Sequence, residues 1–198
     1  MCILQDFGDI VQQFFVDAYF NNTLKLIMGF QWAVEYCYNA QFVAVFDDSY
    51  FINVKNVISM LKTIKPTEFS STIVGYVWNN AMPFRVKGSR WYISLDEYPY
   101  RYFPPYVSSG AFFMAMMAVE RLYIGMQYTK TMRFDDVFFG IVALKLKMRL
   151  SHNQNIYFYN LPYDIFRYRK VIASDGFDDQ EFLYKTWRQQ NELDVNKA

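Results

Sequence analysis

The stretch "VAVFDDSYFINV", residues 43–54, sets Asp47 and Asp48 side by side at the end of an apolar run. Two carboxylates about 4 Å apart repel by about 4 kcal/mol at an effective dielectric near 20, so a strand end that holds both gains from a shared cation. Mg²⁺ or Mn²⁺ accepts one or two carboxylate oxygens and fills its remaining positions from phosphate and water, which makes the pair a candidate clamp for a diphosphate. The same pair also suits plain turn formation and capping. A second pair, Asp135 and Asp136 in "RFDDVFFG", opens another apolar run. Carboxylates there complement the positive end of a helix. Held against an aromatic wall, one of them can instead accept a proton from a hydroxyl group as a general base.

Other chemistries find little support. His152 is the only histidine and lies in the polar run "SHNQN", so it reads as a solvated loop residue, and nothing near it completes a Ser-His-Asp or Cys-His arrangement. Cys2 and Cys37 match no zinc spacing and leave room for one bridge or two free thiols. Twenty Lys plus Arg balance 19 Asp plus Glu for a formal charge of +1, which gives no electrostatic reason to expect a nucleic-acid partner. Asp6 and Asp9 near the start argue against a signal peptide, and "GAFFMAMMAV" is too short to span a bilayer. With 53% hydrophobic and 21% aromatic residues, the 198-residue chain must fold around a core. Its length fits a single domain over 1–198, or a piece of something larger.

The elements that would position these carboxylates follow from periodicity. Phe15, Tyr19, Leu24, Ile27, Met28 and Trp32 fall at helical spacing and predict one long helix, with Asn21 its candidate interruption. "FVAVF", short and apolar on both faces, predicts a buried central or parallel strand. Asn53 is the expected cap of a helix over "VKNVISMLKTI", which must stop before Pro66. "STIVGYVWN" predicts the next strand. The following stretch to Pro105 holds four of the six prolines and reads as an extended loop or hairpin region leading to a strand near "GAFFMAM". Helices are expected over "AVERLYIGMQ", over the whole of "RFDDVFFGIVALKLKMRL", and at the end, where Asp178 to Glu181 has the spacing of a capping box. This alternation predicts an α/β sandwich with a largely parallel sheet, whose ligands gather at the carboxyl ends of the strands, where Asp47 and Asp48 sit.

Taken together, four segments in order resemble the β-1,3-galactosyltransferase family, the family 31 glycosyltransferases that include β-1,3-N-acetylglucosaminyltransferases and Fringe-like enzymes. "FGDIVQQFFVDAYFNNTLKL" is similar to the family's "gDii..dF.DsY.NLTlKt", and "FDDSYFINV" to its "DDDxFvNv". "RWYISLDEYPYRYFPPYVSSGAFF" resembles "kWyvs.eeYp...yPpYcsGggyv", and "FDDVFFGIVALKL" resembles "EDVyvGiclakl". The resemblance implies a GT-A-like fold that is N-terminally incomplete, lacking anchor, stem and first strands. It implies transfer of a hexose, galactose or N-acetylglucosamine, from a UDP-sugar to the 3-hydroxyl of an acceptor glycan with inversion, on the lumenal side of the Golgi membrane. On the same basis Asp47 and Asp48 are expected to bind the donor and Mn²⁺, Asp175 to be a further metal ligand, and Asp136 to be the general base. The sequence departs from the family pattern at Ser49, where a third Asp is expected, at Asp175, where a His is expected, and near Val107 and Val142, where cysteines are expected. These departures leave a rival reading, an inactive sugar- or nucleotide-binding module of the same fold. "NNT" at Asn21 matches an N-glycosylation acceptor pattern, usable only in a secretory lumen.

Overall fold

A computed structural model describes residues 10–195. Among them lie seven strands and five α-helices: α1 (Asn22–Tyr36), β1 (Phe42–Phe46), β2 (Phe51–Ile52), α2 (Val54–Leu61), β3 (Thr72–Trp78), β4 (Tyr106–Ala115), α3 (Met116–Gln127), α4 (Asp135–Lys145), β5 (Arg149–His152), β6 (Ile156–Asn160), β7 (Ala173–Asp175) and α5 (Gln180–Val195).

Two sheets form. The larger has the order β1-β4-β3-β5 and the smaller the order β2-β7-β6. The expected mostly parallel sheet is corrected here. β4 runs antiparallel to both of its neighbours, β1 and β3, and only β3–β5 and β6–β7 pair in parallel. β1, β3 and β5 do share one direction, as the alternation of helices and strands implies. That alternation could not show that β4 returns between β1 and β3. β4 is apolar on both faces because both faces are covered, and that condition says nothing about direction. For the same reason β1 is an edge strand of the described sheet, neither central nor parallel to its neighbour.

One face of the larger sheet carries Ile73, Val107, Phe112 and Met114, which pack on Phe30 and Ala33 of α1, Leu122 and Met126 of α3, and Phe138 and Val142 of α4. The other face carries Val74, Ala111 and Phe113 against Val57 and Met60 of α2 and Ile156 of β6. Ile73, Phe113 and Met114 are wholly buried. Burying each such side chain contributes about 1.5–3 kcal/mol, so this double-sided packing dominates the stability of the fold.

The long N-terminal helix breaks where the Asn21 signal suggested. A 3₁₀ turn spans Tyr19–Asn21, and the α-helix proper begins at Asn22. Its buried stripe runs through Thr23, Phe30 and Ala33, whereas Leu24 and Trp32 stay exposed. Asn53 caps α2 as expected, its side chain accepting the Asn56 N–H at 3.1 Å. The capping residue of α5 is Asp179, one position later than the sequence pattern suggested: its carboxylate accepts the N–H groups of Glu181 and Phe182. The helix expected through residue 150 stops at Lys145. Lys147 then adopts φ 54, turning the chain into β5. Among the described residues no helix is long and apolar enough to cross a membrane.

The proline- and tyrosine-rich segment between β3 and β4 has almost no regular structure. It is pinned from inside by Arg85, whose guanidinium donates to the carbonyls of Ile93, Ser94, Tyr98 and Tyr100. Ile93, Tyr98 and Phe103 then pack on Phe134 and Val137, fastening the segment to the start of α4.

Candidate active site

The site lies at the carboxyl end of β1, where β4 begins. Asp47 still belongs to the ladder, its N–H donating to Gly110 O at 3.1 Å, and the Tyr50 N–H closes a turn onto Asp47 O at 3.1 Å. The Tyr50 ring folds back over Gly110, where any Cβ would collide with it, so only glycine lets the aromatic lie there. Ser49 ties this turn to the second sheet. Its hydroxyl donates to Asp175 Oδ1 at 2.9 Å, and its carbonyl accepts the Phe177 N–H at 2.9 Å. The Gly176 N–H donates to the same Asp175 oxygen at 2.8 Å. Gly176 sits at φ +95, a conformation that suits glycine, with Asn160 packed where a side chain would go.

The second carboxylate pair enters from α4. The N-cap of this helix is Phe134, which offers no capping side chain, so the two Asp residues serve the first turn from within. Asp135 accepts from the first amides of the helix and from the Ser109 hydroxyl, yet burial outweighs these bonds and raises its pKa. Asp136 Oδ1 accepts the Val137 N–H at 2.7 Å. Burial first, and the Asp135 charge second, push the Asp136 carboxyl up to about 7. Gly140, one turn on, packs directly on the Tyr106 and Pro105 backbone, where a Cβ would come within 2.9 Å of Pro105 O. That close approach seats the start of α4 on the start of β4, and the Tyr106 phenol is raised by burial and then by the Asp136 charge.

The two pairs sense each other. Asp47 is raised to about 6, by burial and then by Asp135, Asp48 and Asp175, with Lys25 of α1 partly offsetting them. Asp47–Asp48, Asp135 and Asp175, from three distant parts of the chain, converge on one strand end, with Asp136 beside Asp135 and Asp175 tied to the turn by Ser49. The residues that sequence reasoning missed are those that frame the carboxylates: Tyr50, whose phenol is raised by burial and by Asp175 and Asp47 and bonds Ser108, and Ser109, Tyr106 and Lys25. The one signal for them was "SSGAFF", a run of small residues at the start of a strand. His152 is not in a loop. It ends β5, and its Nδ1 accepts the Val77 N–H at 3.1 Å. Cys37 is a half-buried thiol beside the α1 core; Cys2, Asp6 and Asp9 lie outside the described residues.

A divalent cation fits the chemistry of this corner in one form only. Its donors are all hard oxygens, and the repulsion that adds to burial in raising Asp47 is what a cation relieves. Among the described residues, however, no three His, Cys, Asp or Glu side chains are disposed to hold a metal ion together. The arrangement suits an open site that leaves most ligand positions to phosphate and water.

Comparison with known proteins bears on what such a corner does. The model of the family described as "Galactosyltransferase" matches residues 4–154, covering β1, the acidic turn, β4 and α4. The chain belongs to the galactosyltransferase family. It is 38% identical over 187 residues to "Beta-1,3-galactosyltransferase brn" of Drosophila melanogaster, an alignment covering 93% of this chain and 57% of that protein. It is 36% identical over 180 residues to "UDP-GalNAc:beta-1,3-N-acetylgalactosaminyltransferase 1" of Homo sapiens, covering 89% of this chain and 54% of the relative. It is 34% identical over 194 residues to "Lactosylceramide 1,3-N-acetyl-beta-D-glucosaminyltransferase" of Xenopus tropicalis, covering 96% and 50%. This galactosyltransferase-family chain thus spans about half the length of the curated relatives it matches. Asp175 lies beyond the segment that the family model matches, and its place beside Ser49 comes from the fold alone.

Proposed function

We propose that this chain carries the donor-diphosphate and base side of a β-1,3-glycosyltransferase that moves a hexose from a UDP-sugar to the 3-hydroxyl of an acceptor glycan with inversion. The observation that carries the reading is the convergence of Asp47, Asp48 and Asp175 with the buried pair Asp135–Asp136 at one strand end, in a chain of this family. The names of the relatives add the UDP-linked donor and the β-1,3 linkage.

Asp136 takes the chemical step. A carboxyl whose pKa is raised to about 7 is a far stronger base than a solvated one and is still largely ionised just above neutrality. It accepts the proton of the acceptor hydroxyl as that oxygen bonds to the anomeric carbon. The bond from that carbon to the diphosphate oxygen breaks on the opposite face, and its electron pair leaves with UDP, which gives inversion. Asp135, fixed by the first-turn amides and Ser109, orients the turn that carries Asp136 and keeps its carboxyl basic.

Asp47 and Asp48 are the residues that would hold Mn²⁺ or Mg²⁺ through one or two carboxylate oxygens, and Asp175, held by Ser49 and Gly176, adds negative charge beside them. The cation would supply positive charge to the leaving diphosphate. Tyr50, packed over Gly110, walls the same corner and limits water there. The lumenal side of the Golgi is the compartment this reading assigns. Product analysis by NMR, with UDP-galactose and UDP-N-acetylglucosamine each offered with a β-galactoside acceptor, tests it: a new β-1,3 linkage supports transfer, and UDP binding without product leaves a nucleotide-binding module. That second reading is favoured by one observation, the neutral Ser49 bonded to Asp175 in the acidic turn.

A further inference from the structure

At the same end of the larger sheet lies a group of aromatic rings that the chemistry above does not use. Trp78 ends β3, directly opposite Tyr106 in the strand register. Its ring lies 4.6 Å from Phe158 of β6, which lies 4.5 Å from Tyr76 and 5.2 Å from Tyr159. His152 closes the group, 4.9 Å from Tyr76 and fixed by the Val77 N–H. Tyr76 packs against the core at the inner edge of the group, whereas Trp78 and Phe158 are half-buried and Tyr159 is 45% exposed. Exposed amides follow at Asn79 and Asn80, the latter held at φ 58.

Position and chemistry together select an occupant. Tyr106, the register partner of Trp78, packs on Gly140 of α4, one turn after Asp136, so closely that a Cβ there would lie 2.6 Å from the Tyr106 Cβ. One strand spacing, about 4.8 Å, separates the two backbones, which is the scale of one sugar ring. Aromatic rings with amides at their rim suit a neutral, hydroxylated ligand whose C–H face lies on the rings while its hydroxyls bond the rim.

We propose that Trp78 and Phe158 form a platform for the second sugar ring of the acceptor glycan, next to the ring whose hydroxyl faces Asp136. The inference rests on the glycosyltransferase reading and adds to it a subsite that selects an acceptor of two or more β-linked sugars over a single one. Trp78 supplies the stacking surface, Phe158 supports it from below, and His152 and Tyr76 hold the group against the end of β5.

Ligand-observed saturation-transfer NMR on the full chain with methyl β-lactoside tests this without requiring turnover. Saturation should reach the C–H protons of the reducing-end ring. Trp78→Ala should weaken binding about tenfold, whereas Trp78→Phe should stay within about threefold of the parent. If a thermal melt shows that Trp78→Ala does not fold, Phe158→Leu takes its place with the same expected loss. No saturation in the parent, or equal binding by parent and alanine variant, overturns the platform. UDP is titrated into the same samples with Mn²⁺: UDP binding without lactoside contact removes the platform alone. Lactoside contact at Trp78 without UDP binding removes the transferase reading and leaves a glycan-binding surface.

Discussion

Ser49 Oγ donates to Asp175 Oδ1 across 2.9 Å, joining residues 126 positions apart and fastening the acidic turn after β1 to the end of β7. The bond orients Asp175 beside Asp47 with no further charge added to a corner already crowded with carboxylates. Ser49→Asp replaces that donor with an acceptor. Two carboxylates then meet where a hydrogen bond stood, and the metal-free variant should lose about 1–3 kcal/mol of stability. Mn²⁺ should restore it by binding only the folded state, read as a larger metal-dependent rise in Tm than the parent shows.

Asp136 and Asp47 make stability fall as pH rises. Their folded pKa values, about 7 and about 6, lie above the ordinary carboxylate value, so the folded chain binds more protons than the unfolded chain between about pH 4 and pH 7. Stability therefore declines across that window and levels off above it. Asp136→Asn removes its share, and the variant should be more stable than the parent at pH 8, by about 2 kcal/mol, with a shallower decline from pH 4 to 7. Urea unfolding at pH 5, 6.5 and 8 measures both.

The same substitution should abolish transfer. A neutral amide keeps the shape of the side chain but cannot take the acceptor proton, so kcat should fall by about 10²–10⁴. In the parent, kcat/KM should rise with pH through about 7, the pH at which Asp136 ionises. A variant with parental turnover would assign the base elsewhere.

Gly110→Ala should destabilise through Tyr50. The added methyl group occupies the space of the Tyr50 ring, and overpacking of this kind costs about 1–3 kcal/mol. Tyr50→Ala in the same chain removes the collision, so the double variant should be more stable than the sum of the two single losses. A double-mutant cycle by thermal melt reads the coupling.

Arg85→Ala should loosen the segment before β4 more than the sheet. Four carbonyls lose their charged donor at once, and two of them belong to Ile93 and Tyr98, which lie in the packed interior of that segment. Limited proteolysis should cut within residues 85–101 at least tenfold faster than in the parent, because a locally opened loop is cleaved in proportion to its open population.

What was legible in the sequence were features that depend on neighbours in the chain. The Asn53 cap, the break at Asn21, the strands FVAVF and TIVGYVW and the acidic start of α4 all follow from local pattern. The direction of β4 was not legible, because a strand buried on both faces looks the same either way. β2 and β7 are two and three residues long, shorter than any periodicity can register. Asp175 was placed with Asp47 and Asp48 by family resemblance; the physical link through Ser49 needed the fold. Tyr50, Ser109 and Lys25 lie inside the family-like segments, but nothing in the sequence joins them to the carboxylates, since their part in the site comes from the crossing of β1, β4, α1 and α4.

An acidic turn that serves as a cation-dependent platform for the donor diphosphate must bind UDP through the metal. Isothermal calorimetry of UDP binding to the full chain, with and without Mn²⁺, tests it most directly. Mn²⁺ should tighten UDP binding at least about tenfold, and Asp48→Asn should remove most of this gain. Equal UDP affinity with and without the metal would contradict it.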